Sequence, residues 1–570
     1  MENEIKTQVQ MDEELGAALK NASAIITKDY LDKLESYEMV LPSHEDIDID
    51  ITECGRFYKL SKLVMNQKEN FLDKLTTVVN VASSIDCSLA TIIESDGHKI
   101  NYYMGIVSKN ARRPSDQKRR NANAAAFKGA LVGNLLGSNL DEVSTEEIDY
   151  FKNNVLQNEN NCYSSISGVV ALRDAKQDNF ENYVQGIENL VDSVRGQKYI
   201  ILMIADPMDS SDIQIIKQGY EMLHTQLSTF ARNTVILNES NTVTLSTAET
   251  EGITNGISEG LAMTQSKTKS KGRYFGGNVN LGVGIGLQVG IGINAGTNNG
   301  VSDTNGKTNS TMKSTQQNES TMHSTSSAKT GGKSFQLSRE NRSVKTLLDK
   351  IDKNLERLDE CDSFGAFDCA AYVIADDRET ALTVASNYNA LMRGYNSSVQ
   401  ASHINIWDKP EHTKILGRYL GSLVHPRFWQ SKEKKLIVTP ASVVSGNELA
   451  IQIGLPKKSV AGVTVVPMVP FGRNVVKESN PSIKLGDLYH MGHNEGNVQE
   501  VDIDINSLSM HTFITGSTGS GKSSTIYSIL DKLMEHQVDG KDDKITFMVV
   551  EPAKGEYKDR FGYYPNVHVY

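Results

Sequence analysis

The sequence predicts a mixed α/β protein: a split α/β domain interrupted by a low-complexity insertion, then the start of a second α/β unit. Three observations predict it. Apolar runs with strand character alternate with helical periodicity on both sides of a long Ser/Thr/Asn/Gly-rich stretch. That stretch is too poor in large apolar residues to form a core. Near the carboxyl end, a glycine-rich loop lies between a short apolar run and an amphipathic helix. The chain has 570 residues, enough for three or four domains at ~150 residues each. With 38% hydrophobic and 23% charged residues, the composition excludes wholesale disorder, collagen and a polytopic membrane protein.

Residues 1–85 read as an acidic, mostly helical region. Residues 1–50 hold 13 acids against 4 lysines, a net of −9 out of −11 for the whole chain, so global charge says little about partners. Leu60, Leu63 and Val64, followed by Phe71, Leu72, Leu75 and Val78, fall on a helical stripe. The first residues have neither a basic n-region nor an apolar h-region, so the expected location is the cytoplasm, with a peripheral membrane association left open.

The split domain covers 86–238 and 338–408. Its first part predicts strands at 89–93 and 100–107, a helix at 124–136, a strand at 165–172, a helix at 180–194, a strand at 199–205 and a helix at 212–231. Its second part predicts a helix at 343–358, a strand at 366–374, a helix at 380–392 and a strand at 403–407. Between them, residues 239–337 form the Ser/Thr/Gly-rich insertion, expected to be mobile. Inside it, VNLGVGIGLQVGIGINA at 279–295 alternates apolar residues with Gly, Asn or Gln, a strand period. Each alternate glycine would cost a helix roughly 1 kcal/mol, which argues against a transmembrane helix. A packed or self-associating strand, a glycine-rich loop and one side of a membrane β-hairpin all fit. Residues 409–497, with a helical stretch at 414–423 and an extended one at 463–469, read as a connector.

Cys54, Cys87, Cys162, Cys361 and Cys369 show no C-x-x-C spacing and read as reduced thiols. His403, His412, His490 and His493 show no metal-ligand spacing. Lys109, Arg112, Arg113, Lys118, Arg119 and Arg120, with Asp116 as the single acid among them, could contact nucleic-acid phosphates or form a solvated loop.

The chemistry concentrates in 498–570. Gly516, Ser517, Thr518, Gly519, Ser520, Gly521, Lys522 and Ser523 complete a G-x-x-x-x-G-K-[ST] pattern and continue into Ser524. An apolar strand at 512–514 precedes it and a helix follows. Phosphates demand close approach by inward-pointing amides, which glycine permits. Lys522 would reach the β and γ phosphates, the Ser523 hydroxyl would ligate Mg²⁺, and the helix start would add its positive end. A second apolar run at 545–550 ends in Glu551. At a strand's carboxyl end, Glu551 could orient an attacking water or support the Mg²⁺ shell. Alternatively, it caps the strand and pairs with a cation such as Lys554.

The loop, the strand before it and the EPAKGEY element at 551–557 resemble the HerA/FtsK group of P-loop ATPases, which includes the conjugative secretion ATPases. The close resemblance spans about 498–570; the upstream region is only loosely similar to secretion-type members. The resemblance implies a RecA-like motor domain that binds ATP and Mg²⁺ and assembles as a homo-hexameric ring. Such a ring hydrolyses ATP between subunits and moves DNA, the expected cargo, or protein through its centre. A secretion-type ATPase working with membrane-associated partners is an alternative reading, and a nucleotide-binding protein without turnover is another. Lys522 carries over as the catalytic phosphate ligand. The group's Walker B acid and arginine finger are expected beyond Tyr570, so the sequence reads as a fragment of a longer ATPase or a truncated product. Apolar runs ending in Asp at 199–206 and 370–376 precede the loop and are expected to be core strands.

Overall fold

A computed structural model describes residues 23, 26–43, 49–66, 69–158, 160–172, 185–228, 231–237, 335–340, 342–432, 436–468, 472, 481–490, 493–494, 499–536, 545–552 and 554–570. The chain is mixed α/β and divides into two compact units, Met1–Pro467 and Met468–Tyr570.

The first unit is organised by a ten-stranded sheet. In chain order its strands are β1 (Gly55–Met65), β2 (Ser88–Asp96), β3 (Ile100–Val107), β4 (Asn139–Glu142), β5 (Cys162–Ser167), β6 (Lys198–Pro207), β7 (Ala366–Ala375), β8 (His403–Trp407), β9 (Ser442–Ser445) and β10 (Thr464–Pro467). Their order in space is β8-β5-β7-β6-β2-β3-β1-β10, with β9 on β7 and β4 on β1. The pairings are antiparallel except β10 with β1, which is parallel. The β2–β3 hairpin shows how the local sequence sets this up. Asp96 Oδ1 accepts from the amides of His98 and Lys99, each at 2.8 Å, and Gly97 takes φ 91°, a left-handed turn that suits glycine.

Strands buried on both faces need apolar residues at odd and even positions alike. On β2, Leu89 and Ile93 enter one core, whereas Ala90 and Ile92 enter the other. The first core is closed by helices Phe71–Ser84, Gln117–Asn134, Arg378–Met392 and Gly446–Ile453. The second is closed by Thr145–Tyr150, which runs directly into a π-helix at Phe151–Leu156, and by Pro410–Gly421. All five cysteines are unpaired and buried.

Several expectations need correcting. Leu60, Leu63 and Val64 belong to strand β1, not to a helix. Its pairing with β4 shifts register between Leu60 and Lys62, so an extra residue turns the strand's period of two into the three-residue spacing that imitates a helix. The stretch expected to be a connector supplies β9, β10 and two helices to the first unit as far as Pro467. Its partners β7 and β1 are remote in sequence, so local periodicity carries no sign of them. The strand expected at 165–172 is Cys162–Ser167, and of the helix expected at 180–194 the described part is Glu188–Ser193.

The flanks of the insertion come together. Helix Ser210–Ser228 packs Ile213, Ile216, Tyr220, Leu223 and Leu227 into one cluster with Val344, Leu347, Ile351 and Leu358 of helix Arg342–Phe364. Arg232–Leu237 then pairs antiparallel with Phe335–Glu340. The apolar run at 279–295 and the bulk of 239–337 lie outside the described residues.

In the second unit, Ser482–Asp487 pairs antiparallel with Glu500–Asp504, and helices Lys522–Glu535 and Glu556–Phe561 follow. Ile483, Ile529, Leu530, Leu533 and Phe561 form its small core. The strands expected at 512–514 and 545–550 make no ladder among the described residues. Their alternation is visible all the same: Ile514, Ile545 and Phe547 pack on the core, while Phe513 and Met548 are 88% and 86% exposed. Apolar alternation turns one side inward, but a ladder also needs a neighbouring strand.

Candidate nucleotide-binding site

The glycine-rich loop leads straight into helix Lys522–Glu535. Gly519 and Gly521 adopt φ 80° and 89°, the left-handed region, and a Cβ at either would find open space. Their requirement is therefore conformational rather than steric. Gly516 differs: a Cβ there would meet Ser520 Oγ, so this glycine permits a close turn. Gly521 is the N-cap and has no side chain to bond to the helix. The first turn's amides thus keep their donors free for an anion, at the helix's positive end. The amides of Ser520 and Thr525 bond to Ser517 O and Gly521 O at 3.2 and 2.9 Å, bracing the loop on both sides.

Lys522 bends back over the loop. Its Nζ donates to Gly516 O at 2.8 Å and Ser517 O at 2.6 Å, which places the ammonium inside the turn. Ser517, Thr518, Ser520 and Ser524 are exposed, and Ser523 is half-buried at the start of the helix. Among the described residues no group of His, Cys, Asp or Glu is arranged to hold a metal. Mg²⁺ keeps several waters and takes oxygens from a ligand's phosphates, so the Ser523 hydroxyl would be one ligand among these. The loop's free amides, central ammonium and terminal hydroxyl therefore fit a magnesium–nucleotide.

Glu551 is occupied structurally. Its Oε1 and Oε2 accept from the amides of Glu556 and Tyr557 at 3.0 and 3.2 Å, capping helix Glu556–Phe561 rather than a strand. Lys554, at φ 81°, pairs with Glu556 at 3.7 Å, not with Glu551. Sequence reasoning did not single out Tyr527 and Arg560. The Tyr527 hydroxyl donates to Glu556 Oε2 at 3.1 Å, its ring meets Tyr557 edge-on at 5.0 Å, and Arg560 pairs with Asp531 at 2.8 Å. These contacts tie the short helix to the loop's helix. The one sequence signal for them is the spacing from the loop to the GEY triplet.

The basic cluster does not stay together. Lys109 turns inward to Asp206 at 2.5 Å and to Leu423 O at 2.5 Å. Arg120 is buried and donates to Ala111 O and Arg113 O, at 2.9 and 2.8 Å. Arg112, Arg113, Lys118 and Arg119 remain exposed. Asp206, at the end of β6, also accepts from Ser88 Oγ at 2.6 Å. Burial pushes its carboxyl up, but Lys109 and then His425 hold it below the usual carboxylate range.

A glycine-rich turn with left-handed glycines, opening a helix whose first residues are Lys and Ser, defines a P-loop nucleotide-binding unit. Residues 483–570 match the family model described as the central domain of helicase HerA, which supports the assignment of this segment to the HerA/FtsK-type P-loop ATPases. The match starts in the Ser482–Asp487 strand, upstream of the 498 boundary read from the sequence. ATPases of this kind generally use ATP and Mg²⁺, and HerA proteins are generally hexameric. No curated protein matches the chain. No helix among the described residues is long and apolar enough to cross a membrane.

Proposed function

We propose that this protein is an ATP-driven motor subunit of HerA/FtsK type that moves DNA and assembles as a hexameric ring. The observation that carries the reading is the loop geometry, with Gly519 and Gly521 left-handed and Lys522 Nζ folded into the turn, within the segment that matches the HerA central domain. In this reading the amides of Gly519, Gly521, Lys522, Ser523 and Ser524 cradle the phosphates, while the Ser520 amide braces the loop. The Lys522 ammonium exchanges its two carbonyl partners for β and γ phosphate oxygens. The Ser523 hydroxyl would hold Mg²⁺, and the ion would supply positive charge against the phosphates when bound. Glu551 is a positioning residue that acts through the backbone of Glu556 and Tyr557. DNA is favoured as cargo by the family resemblance.

The test is phosphate release by the full chain with ATP and Mg²⁺, with and without linear duplex DNA. The reading expects DNA-stimulated release that Lys522→Ala abolishes. ATP binding with no release under either condition would reduce the protein to a nucleotide binder. Release indifferent to DNA would remove DNA as cargo.

A further inference from the structure

The second core of the first unit contains a cavity of about 360 Å³, within the usual range for small-ligand sites. Strands β2 and β3 form its floor, and the helix Thr145–Tyr150 with its π-helical continuation forms its wall. A π-turn widens a helix locally and recurs at functional sites. Four aromatic side chains line the space: Phe57, Tyr103, Tyr150 and Phe151. Phe57 holds its place because Gly105, opposite it on β3, has no Cβ; one added there would fall within 2.3 Å of the ring.

Three carboxylates line the same cavity: Glu94, Glu146 and Glu147. None of them pairs with a Lys, Arg or His among the described residues. Glu94 is half-buried, and its Oε2 accepts from Asn101 Nδ2 at 3.0 Å and from the Tyr103 hydroxyl at 3.4 Å. Its Oε1 has no hydrogen-bond partner among the described residues. Glu147 accepts from the Ser144 amide at 3.0 Å. Glu146 and Tyr150 stand exposed at the mouth and also line an adjoining groove with Thr52 and Asp149. Burial, and then the charges of Glu94 and Glu147, hold the Tyr103 hydroxyl well above its ordinary pKa, so negative potential converges there. Of the two nearby lysines, Lys152 pairs with Asp50 at 3.3 Å, and Lys59 sits over the Tyr103 ring, 5.8 Å from its centre, without an ion pair to any of the three carboxylates among the described residues.

Aromatic faces carry negative quadrupole potential, and unpaired carboxylates beside them select for positive charge. Apolar walls select for a ligand with a hydrocarbon body. We propose that this pocket binds an organic ammonium, an alkyl or aryl amine whose body fills the space between Phe57, Phe151 and Ile92 and whose cationic nitrogen lies between Glu94 and the mouth carboxylates. A neutral hydrocarbon would leave the carboxylates without a counter-charge, and an organic anion would be repelled. The same chemistry is available from a free amine or from a lysine side chain on an apolar peptide.

Calorimetric titration of the full chain with phenethyltrimethylammonium, 3-phenylpropionate and the peptide Ac-Ala-Leu-Lys-Leu-Ala-amide tests this. The ammonium or the peptide should bind and the carboxylate should not. Glu94→Gln, and independently Glu146→Gln at the exposed mouth, should each weaken cation binding about tenfold. Tighter binding of the peptide would assign the cation to a protein side chain, and tighter binding of the ammonium to a free amine. No binding of either cation, equal binding of 3-phenylpropionate, or unchanged cation affinity in Glu146→Gln would overturn the proposal. The mouth variant keeps the test decisive should Glu94→Gln fail to fold.

Discussion

The two units handle charge in opposite ways. In the first, ionic groups are drawn into the interior: Arg357 Nε meets Glu448 Oε1 at 2.6 Å, its second nitrogen meets Oε2 at 2.8 Å, and both side chains are more than 80% buried. Glu448 also closes a capping box with Ser445 at the start of its helix. Burial alone would lower the Arg357 pKa, but Glu448 more than offsets it. In the second unit, Lys522 bonds to carbonyls of an exposed turn and has no carboxylate partner among the described residues. An internal pair is fixed by the cost of desolvation and serves the fold. An ammonium that bonds to its own loop exchanges those bonds at little cost and is free to serve a ligand. Variants that invert the two roles would break the contrast.

The largest effect on ligand binding is expected at the loop. Lys522→Ala should weaken ATP binding about 100-fold or more in a direct titration, since a charge-assisted contact to each of two phosphates is lost, while the urea midpoint of the first unit stays unchanged. Next comes Glu448→Gln. It strands a buried guanidinium and should destabilise the first unit by about 3–5 kcal/mol in urea unfolding; a change below 1 kcal/mol would mean that the pair is exposed in solution. Two glycines then sharpen the comparison. Gly521→Ala forces a side chain into φ 89° and should cost about 1–2 kcal/mol in the second unit. Gly129→Ala lies in an open helical position and should stabilise the first unit by about 0.5–1 kcal/mol.

The mildest effect is a pH dependence. His425 is buried, its Nδ1 lies 2.7 Å from the Tyr372 hydroxyl and its Nε2 lies 3.1 Å from Asp368 O. The neutral tautomer with the proton on Nε2 satisfies both contacts. Burial lowers its pKa below 6.5, against the opposing pull of Asp206 and Asp368. The unfolded chain therefore binds the proton more readily than the folded one. The contribution is complete above pH 6.5 and is lost as pH falls below that value towards the folded pKa. Thermal midpoints should decline between pH 7 and 5, and His425→Gln should flatten that decline.

Legibility in the sequence follows the same division. The loop was readable because its chemistry is local: glycine, lysine and serine at fixed spacing are sufficient, and the structure adds the left-handed torsions at Gly519 and Gly521. Strands β2, β3, β6 and β7 were readable as continuous apolar runs. The irregular pairing at Leu60 and Lys62 hid strand β1, because one extra residue changes the spacing a reader counts. Strand β10 falls within the extended stretch read at 463–469, whereas β9, four residues long and paired with a remote partner, has no local pattern to announce it. The Arg357–Glu448 pair and the inward turn of Lys109 depend on tertiary proximity alone. Glu551 was visible as an acid at the end of an apolar run, but its capping of Glu556 and Tyr557 was not, because the turn at Gly555 decides it.

The most direct check on the central claim is amide hydrogen–deuterium exchange of the full chain with and without ATP and Mg²⁺. Exchange should slow in peptides covering residues 516–524, and the slowing should vanish when Lys522 is replaced by Ala. Unchanged exchange across those residues, with protection appearing elsewhere on adding nucleotide, would contradict it.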